Sequence, residues 1–426
     1  MIRTLPVALA ALALLGCGGT EDAAPPAATT TAAAPAAPAE DVLAASNDLT
    51  GTELFWADGR TLEPVDGRSV SFSYYYSAVD RSPDGGTLAL GADDRGYVQL
   101  VDLERMESLG TVEVGGGGYF ERLHWVAPDR LLASVSGLPS RVVALDPAAQ
   151  RVVAEHELQG TVLSSRPVEG GLVLLLAPSD RIGPARLAVF DGERVRTAEL
   201  REIRAGWEQV SEGDTEEEYR SRQSIPGLAV DPSGSRALVV PAGNRVAEVD
   251  LETLDVRYHD LSEPVSLLGR LRDWLEPAAH AKTTDGPDRN AVWLPSGLVA
   301  VSGSHYVADG DRMDVTPAGL ALIDPSDWSV RRLSDEPNWV TLRGDALLAS
   351  SWKENSNEQG VIVFDADGEE RFSLTRRAAD LTQASGGLLY VATANGSRYE
   401  MVDLATGETV GRATPKRPAW LVYVEE

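Results

Sequence analysis

At 426 residues the chain has the length of two or three ordinary domains or of one large repeat domain. Its 38 Lys and Arg against 65 Asp and Glu give a formal net charge of −27, which argues against nonspecific binding to nucleic acid or anionic lipid. A hydrophobic content of 43% is enough for a core, and a single cysteine rules out a disulfide framework.

The N-terminus carries Arg3, an apolar run from Leu5 to Leu15, then Gly16 and Cys17. This is the layout of an export signal, and its apolar run is too short to span a bilayer. Leu14-Leu15-Gly16-Cys17 resembles the lipobox of bacterial lipoproteins. The resemblance implies that Cys17 is lipidated and becomes the first mature residue. Acyl chains at about 0.8 kcal/mol per buried CH₂ would then anchor the chain to the bacterial cell membrane. With its thiol so used, Cys17 leaves no cysteine for metal binding or nucleophilic catalysis. Residues 1–17 are thus read as the signal. Residues 18–40, rich in Ala, Pro and Thr and poor in large apolar side chains, are read as a disordered tether.

From Asp41 onward, short β-type runs alternate with turns rich in Gly, Pro, Ser and Asp. Residues 228–261 show the unit: Leu-Ala-Val-Asp-Pro-Ser-Gly, Ser-Arg-Ala-Leu-Val-Val, Asn-Arg-Val-Ala-Glu-Val-Asp-Leu and Leu-Asp-Val-Arg-Tyr-His-Asp-Leu. Four strands per unit, repeated along 41–426, predict an all-β fold, a β-propeller of four-stranded antiparallel blades. An acidic turn after the third strand marks each unit, at Asp58, Asp102, Asp146, Asp191, Asp250, Asp324, Asp365 and Asp403. Eight markers predict eight blades, with seven as the alternative. Inner strands ending near Arg81, Val126, Val168, Val230, Leu294, Leu342 and Ala384 number one fewer, and the missing one is found in Ala419-Trp-Leu-Val-Tyr-Val. The ring is therefore expected to close by pairing N-terminal with C-terminal strands, which removes an exposed edge.

Tyr390-Val-Ala-Thr-Ala-Asn-Gly-Ser-Arg-Tyr-Glu-Met-Val-Asp-Leu-Ala-Thr-Gly-Glu-Thr-Val, echoed by Val98-Gln-Leu-Val-Asp-Leu-Glu-Arg, resembles the YVTN-type repeat of bacterial and archaeal surface propellers. That repeat is related to the YncE-like family and more loosely to WD40-like repeats. The resemblance implies an exported propeller and carries no catalytic residues with it.

Four insertions fall on connections that share one face of a propeller: Glu199 to Pro226 and Asp260 to Asn290 between blades, and Val307 to Pro317 and Lys353 to Gln359 between second and third strands. Binding is expected there, near the mouth of the central channel. Val265, Leu268, Leu271 and Leu275, with Ser262 as cap and Pro277 as stop, predict a short amphipathic helix in Asp260 to Lys282. The stretch around Trp207 and Tyr219 is an acidic loop able either to clasp a cation or simply to be solvated. The candidate binding residues on this face are Trp207, Tyr219, Trp274, His280, Lys282, His305, Tyr306, Asp309, Asp311, Trp352 and Lys353.

Asp309-Gly-Asp311-Arg-Met-Asp314 clusters carboxylates near His305 without calcium-loop spacing, so no cofactor is expected and a metal ion is left open. No Gly-x-Ser-x-Gly elbow, phosphate loop or haem Cys-x-x-Cys-His motif is present. The expected function is a non-enzymatic, lipid-anchored module at the cell surface that binds a protein, glycan or small ligand on the long-loop face. The alternative is a propeller enzyme or enzyme subunit, quinoprotein-dehydrogenase-like or lactonase-like, with its site at the channel mouth.

Overall fold

The computed structural model describes residues 41–48, 51–92, 95–116, 118–211, 219–263, 283–309, 312–351, 360–375, 377–384, 387–393, 398–415 and 420–422. The signal segment, Cys17 and the tether lie outside these, as does the expected helix beyond Glu263. Described residues contain no helix long and apolar enough to cross a membrane.

In chain order the strands are β1 (Asp41–Asp48), β2 (Gly51–Asp58), β3 (Pro64–Phe72), β4 (Tyr76–Arg81), β5 (Thr87–Ala92), β6 (Tyr97–Asp102), β7 (Glu107–Glu113), β8 (Tyr119–Ala127), β9 (Arg130–Ser136), β10 (Arg141–Asp146) and β11 (Arg151–Glu157). They continue as β12 (Thr161–Val168), β13 (Gly171–Ala177), β14 (Gly183–Phe190), β15 (Val195–Ser211), β16 (Tyr219–Ser224), β17 (Gly227–Val230), β18 (Arg236–Val240), β19 (Arg245–Asp250) and β20 (Val256–Asp260). The last part holds β21 (Thr283–Trp293), β22 (Val299–Asp309), β23 (Arg312–Pro317), β24 (Leu320–Asp324), β25 (Ser329–Ser334), β26 (Trp339–Arg343), β27 (Ala346–Ser351), β28 (Gly360–Phe364), β29 (Glu370–Thr375), β30 (Arg377–Ala384), β31 (Leu388–Thr393), β32 (Tyr399–Asp403), β33 (Thr409–Ala413) and β34 (Trp420–Leu421). The fold is an all-β propeller with antiparallel four-stranded blades.

Neither expected blade count, eight or seven, describes the sheets as they stand. Among the described residues six discrete four-stranded sheets are found: β3-β2-β1-β34, β4 to β7, β8 to β11, β17 to β20, β26 to β29 and β30 to β33. The remaining strands form one ten-stranded sheet. The cause is β16, which pairs antiparallel with the end of β15 and parallel with the start of β21. Hydrogen bonding thereby runs on between two strand runs, β12 to β15 and β21 to β25, that the sequence pattern keeps apart.

The core lies between neighbouring runs. Buried alternating residues form eight hydrophobic clusters among the described residues, each built from two adjacent runs. Val173, Leu175 and Leu187, for example, pack on Leu228, Val239 and Val249. Each fully buried aliphatic side chain stabilises by about 1.5–3 kcal/mol, so the faces of the blades hold the molecule together.

The expected closure is present. Ala44 and Ala45 of β1 pair with Leu421 and Trp420, and the Val422 amide donates to the Leu43 carbonyl at 2.9 Å. The first and last sheets also share a cluster containing Phe55, Leu388 and Tyr390, and the buried Tyr390 hydroxyl donates to the Gly59 carbonyl at 2.7 Å.

All eight acidic markers do the same local job. Asp58 Oδ1 accepts from the amides of Arg60 and Thr61 at 2.9 and 2.8 Å, and Asp403 Oδ1 from those of Ala405 and Thr406 at 3.0 and 2.8 Å. Asp102, Asp146, Asp191, Asp250, Asp324 and Asp365 each accept at least one amide of the following turn in the same way. An Asp side chain folds the backbone over itself in such turns, which is why that residue type recurs.

Candidate functional site

Within the described residues the insertions expected as loops are largely strands, and three of them meet. Residues 199–211 extend β15, and the added length pairs with β16 from Gly206↔Ser224 to Ser211↔Tyr219. This corrects the loop reading for 199–211 and 219–224, while 212–218, where most of its acidic residues lie, fall outside the described residues. Ala198, Leu200, Ile203 and Ala205 are buried beneath charged neighbours, and the irregularity at Pro184/Ala185 lets the strand continue past its blade. Residues 283–290 likewise begin β21, and 307–309 of β22 pair antiparallel with 312–314 of β23. Strands from three insertions therefore lie side by side in one sheet, in the order β15, β16, β21, β22, β23. The parallel step needs a glycine: Gly286 has φ +129°, and a Cβ there would stand 2.0 Å from the Gln223 carbonyl oxygen. The Ile225 amide donates to the Pro287 carbonyl at 2.9 Å, and the Arg289 amide to the Ile225 carbonyl at 2.8 Å.

Where β21–β22 faces β26–β27, the interface changes character along its length. One end is apolar, with Val292, Ala300, Val340, Leu347 and Ala349 in a single cluster. Two residues further up each strand, on the same side, stand Asn290 opposite Ser302, then Asp288 opposite Ser304, then Gly286 opposite Tyr306. Across from them are Asn338, two residues before Val340, and Ser351, two residues after Ala349. Asn290, Ser302, Ser304, Asn338 and Ser351 are all buried. Asp288 and Tyr306 are partly exposed, so this polar seam reaches solvent at its upper end.

Hydrogen bonds fix the seam's walls. Asn290 Nδ2 donates to the Val340 carbonyl at 2.6 Å, and Arg166 Nη2 from β12 reaches Asn290 Oδ1 at 3.1 Å. Arg289 is 4% exposed and donates through Nη1 to the carbonyls of Asp288 and Ser304 at 2.9 and 2.8 Å. Burial lowers the Arg289 guanidinium to about 10 against the pull of the Asp288 charge. Burial pushes the Asp288 carboxyl up to about 6, with the Arg289 charge opposing it. Burial also raises the Tyr306 phenol, and the negative charge of Asp288 adds to this. A carboxyl held that far above its ordinary range at an accessible end of a buried polar seam has the environment of a functional group.

Among the sequence candidates, Trp207, Tyr219, His305, Tyr306 and Asp309 are brought into the added sheet. Trp207, 36% exposed, donates from Nε1 to Gln223 Oε1 at 3.3 Å. Tyr306 lines the seam. His305 sits on the opposite side of β22, paired with Pro287 and Thr316. Tyr219 begins β16 and Asp309 ends β22. Trp274, His280, Lys282, Asp311, Trp352 and Lys353 lie outside the described residues. Sequence reasoning missed Arg166, Asp288, Arg289, Asn290, Ser302 and Ser304. The available signal was an Asp-Arg-Asn run directly before the apolar Ala291-Val292-Trp293, with Ser-Gly-Ser following Ala300-Val301. No group of three His, Cys, Asp or Glu side chains suited to a metal ion occurs among the described residues.

No protein-family model matches the chain. No curated protein matches it either. Among solved structures it is similar to the dihydro-heme d1 dehydrogenase NirN in complex with DHE, at 13% identity and a TM-score of 0.56, over 89% of this chain and 74% of that one. It is also similar to apo AztD from Citrobacter koseri, at 13% identity and a TM-score of 0.48, over 89% of this chain and 96% of that one. A third, hydrazine synthase of Kuenenia stuttgartiensis, aligns at 13% identity and a TM-score of 0.46, over 78% and 96%. At such identity the likeness to NirN speaks for the propeller fold alone.

Proposed function

We propose that the chain is an exported propeller of the YVTN/YncE-like kind, anchored to the bacterial cell membrane through Cys17. In this reading it works as a non-enzymatic binding module for a protein, glycan or small ligand on the face that carries the insertions. One observation carries the reading: strands from three insertions build a single added sheet beside a buried polar seam that opens to solvent. Propellers commonly bind on one face, and long connections concentrated there are how a repeat fold acquires a site. The export and anchoring part rests on the lipobox-like Leu14-Leu15-Gly16-Cys17.

Two measurements test it. Cell fractionation of the full chain beside Cys17→Ser is expected to move the protein from membrane to soluble fractions, and an unchanged distribution overturns the anchor. Native mass spectrometry of the full chain extracted from membranes is expected to show a ligand or partner that leaves chemically unchanged. A co-purifying molecule that is converted on incubation overturns the non-enzymatic reading.

A further inference from the structure

We propose that the polar seam between β21–β22 and β26–β27 receives a singly charged ammonium group of a small ligand, with Asp288 as counter-charge and the oxygens of Ser302, Ser304 and Tyr306 as hydrogen-bond acceptors. The inference rests on the binding-module reading and names the ligand chemistry of that site.

Three observations lead to it. Ser302 is 1% exposed and its Oγ has no hydrogen-bond partner, although the register places it on the same side as Asn290 and Asp288. An orphan hydroxyl at such depth costs about 1–3 kcal/mol unless something completes it. Next, the Asp288 carboxylate accepts no hydrogen bond and makes no ion pair among the described residues. Arg289 acts on it through space while its Nη1 is held by the carbonyls of Asp288 and Ser304. Finally, the other polar side chains that the strands place on this face are neutral, Asn290, Ser302, Ser304 and Tyr306 with Asn338 and Ser351 opposite, and the cation in its wall, Arg166, is engaged deeper down at Asn290 Oδ1 and the Ala291 carbonyl.

The set selects the charge. With Arg289 Nη1 turned to backbone carbonyls and Arg166 engaged at Asn290, the single carboxylate on this face is left to balance one positive charge, whereas a divalent ion generally gathers several carboxylates. An anion would meet Asp288, and a neutral guest would leave that carboxylate unmatched. An ammonium group brings three N–H donors to a site rich in acceptors. The chain's net charge of −27 also raises the local concentration of cations. The charged or titratable groups near Asp288 are Asp285 and Arg289 on its own strand and His305 and Tyr306 on β22, and deeper in the seam the Arg166 guanidinium of β12 is held at Asn290 Oδ1 and the Ala291 carbonyl. On the facing strands the described side chains at this level, Asn338, Trp339, Ser350 and Ser351, carry no charge.

The test is calorimetric titration of the full chain in detergent with n-butylammonium, and separately with potassium and calcium at matched ionic strength. Saturable binding of n-butylammonium at about pH 8 is expected, weakened about tenfold or more in Asp288→Asn and severalfold in Ser302→Ala. Affinity is also expected to fall as pH drops through about 6, because protonation removes the counter-charge. Asp288→Asn keeps the shape of the side chain, and its thermal midpoint shows whether it is folded. Absence of saturable n-butylammonium binding to the unaltered chain overturns the proposal. So does equal affinity in Asp288→Asn, and so does tighter binding of potassium or calcium, lost with Asp288. If n-butylammonium fails while native mass spectrometry still finds a ligand that leaves unchanged, only the ammonium assignment falls. If a bound molecule is converted, the binding-module reading falls as well.

Discussion

The acidic turns that follow the third strands and the polar seam between β21–β22 and β26–β27 use the same residue type to opposite ends. In the turns, a carboxylate such as Asp58 or Asp250 accepts amides a few residues on, so its charge is spent locally and its pKa drops below the ordinary carboxylate range. In the seam, Asp288 accepts no hydrogen bond among the described residues, and burial drives its pKa the other way. The turns stabilise the fold wherever they occur. The seam holds polar groups in a place where apolar ones would pack better, which is the usual mark of a site kept for binding.

Five substitutions at four positions sharpen that contrast. The largest effect is expected away from both regions, at the closure: Tyr390→Ala should cost about 3–5 kcal/mol in urea unfolding, and Tyr390→Phe, which loses only the bond to Gly59, about 1 kcal/mol. Next comes Asp288→Asn, which should stabilise. Because the folded carboxyl titrates near 6 against an ordinary value of 3.8, the ionised group destabilises above pH 6 and is neutral in both states well below pH 4. The gain should therefore be roughly 2–3 kcal/mol at pH 8 and vanish in acid, as urea midpoints at the two pH values would show. A destabilised Asp288→Asn at pH 8 would place Asp288 with the turn carboxylates.

Asp403→Ala should lose about 1–2 kcal/mol by the same assay, since two amides and the Thr406 hydroxyl lose their acceptor. For Asp58 the sign of the pH dependence reverses relative to Asp288. The Thr61 amide leads in lowering its pKa, so its contribution is present above about pH 4 and lost as the pH falls below the folded value. The smallest change is expected for Arg68→Ala, about 0–1 kcal/mol, because its 2.6 Å pair with Asp41 and its stack on Trp56 are partly open to water.

What could be read in advance divides along the same line. Asp turns are written in two or three adjacent residues, and all eight were legible for that reason. The closure was legible because one inner strand was missing from the middle and present at the end. The added sheet was not, since Arg201, Glu202 and Arg204 interrupt the alternation of β15, and the parallel pairing of Arg220 with Thr283 spans a stretch with no local code. That pairing also fuses strand runs that the markers count separately. The seam was hidden for another reason. Ser302, Ser304 and Asn290 look solvent-facing in a strand pattern, and only the strands facing them show that they are buried. Candidates chosen for aromatic or charged character caught Trp207 and Tyr306 and passed over the buried hydroxyls.

The pairing of β1 with β34 also sets a clock. Residues 41–48 take one partner from 51–58, close in sequence, and the other from 420–422, at the far end of the ring. Contacts of such separation form late, because the loop between them must close first. Until then β1 shows a bare edge of amides and carbonyls. During synthesis the first sheet is thus the last to be finished, and that unfinished edge is where a chaperone has most to protect and where misassembly between copies would begin.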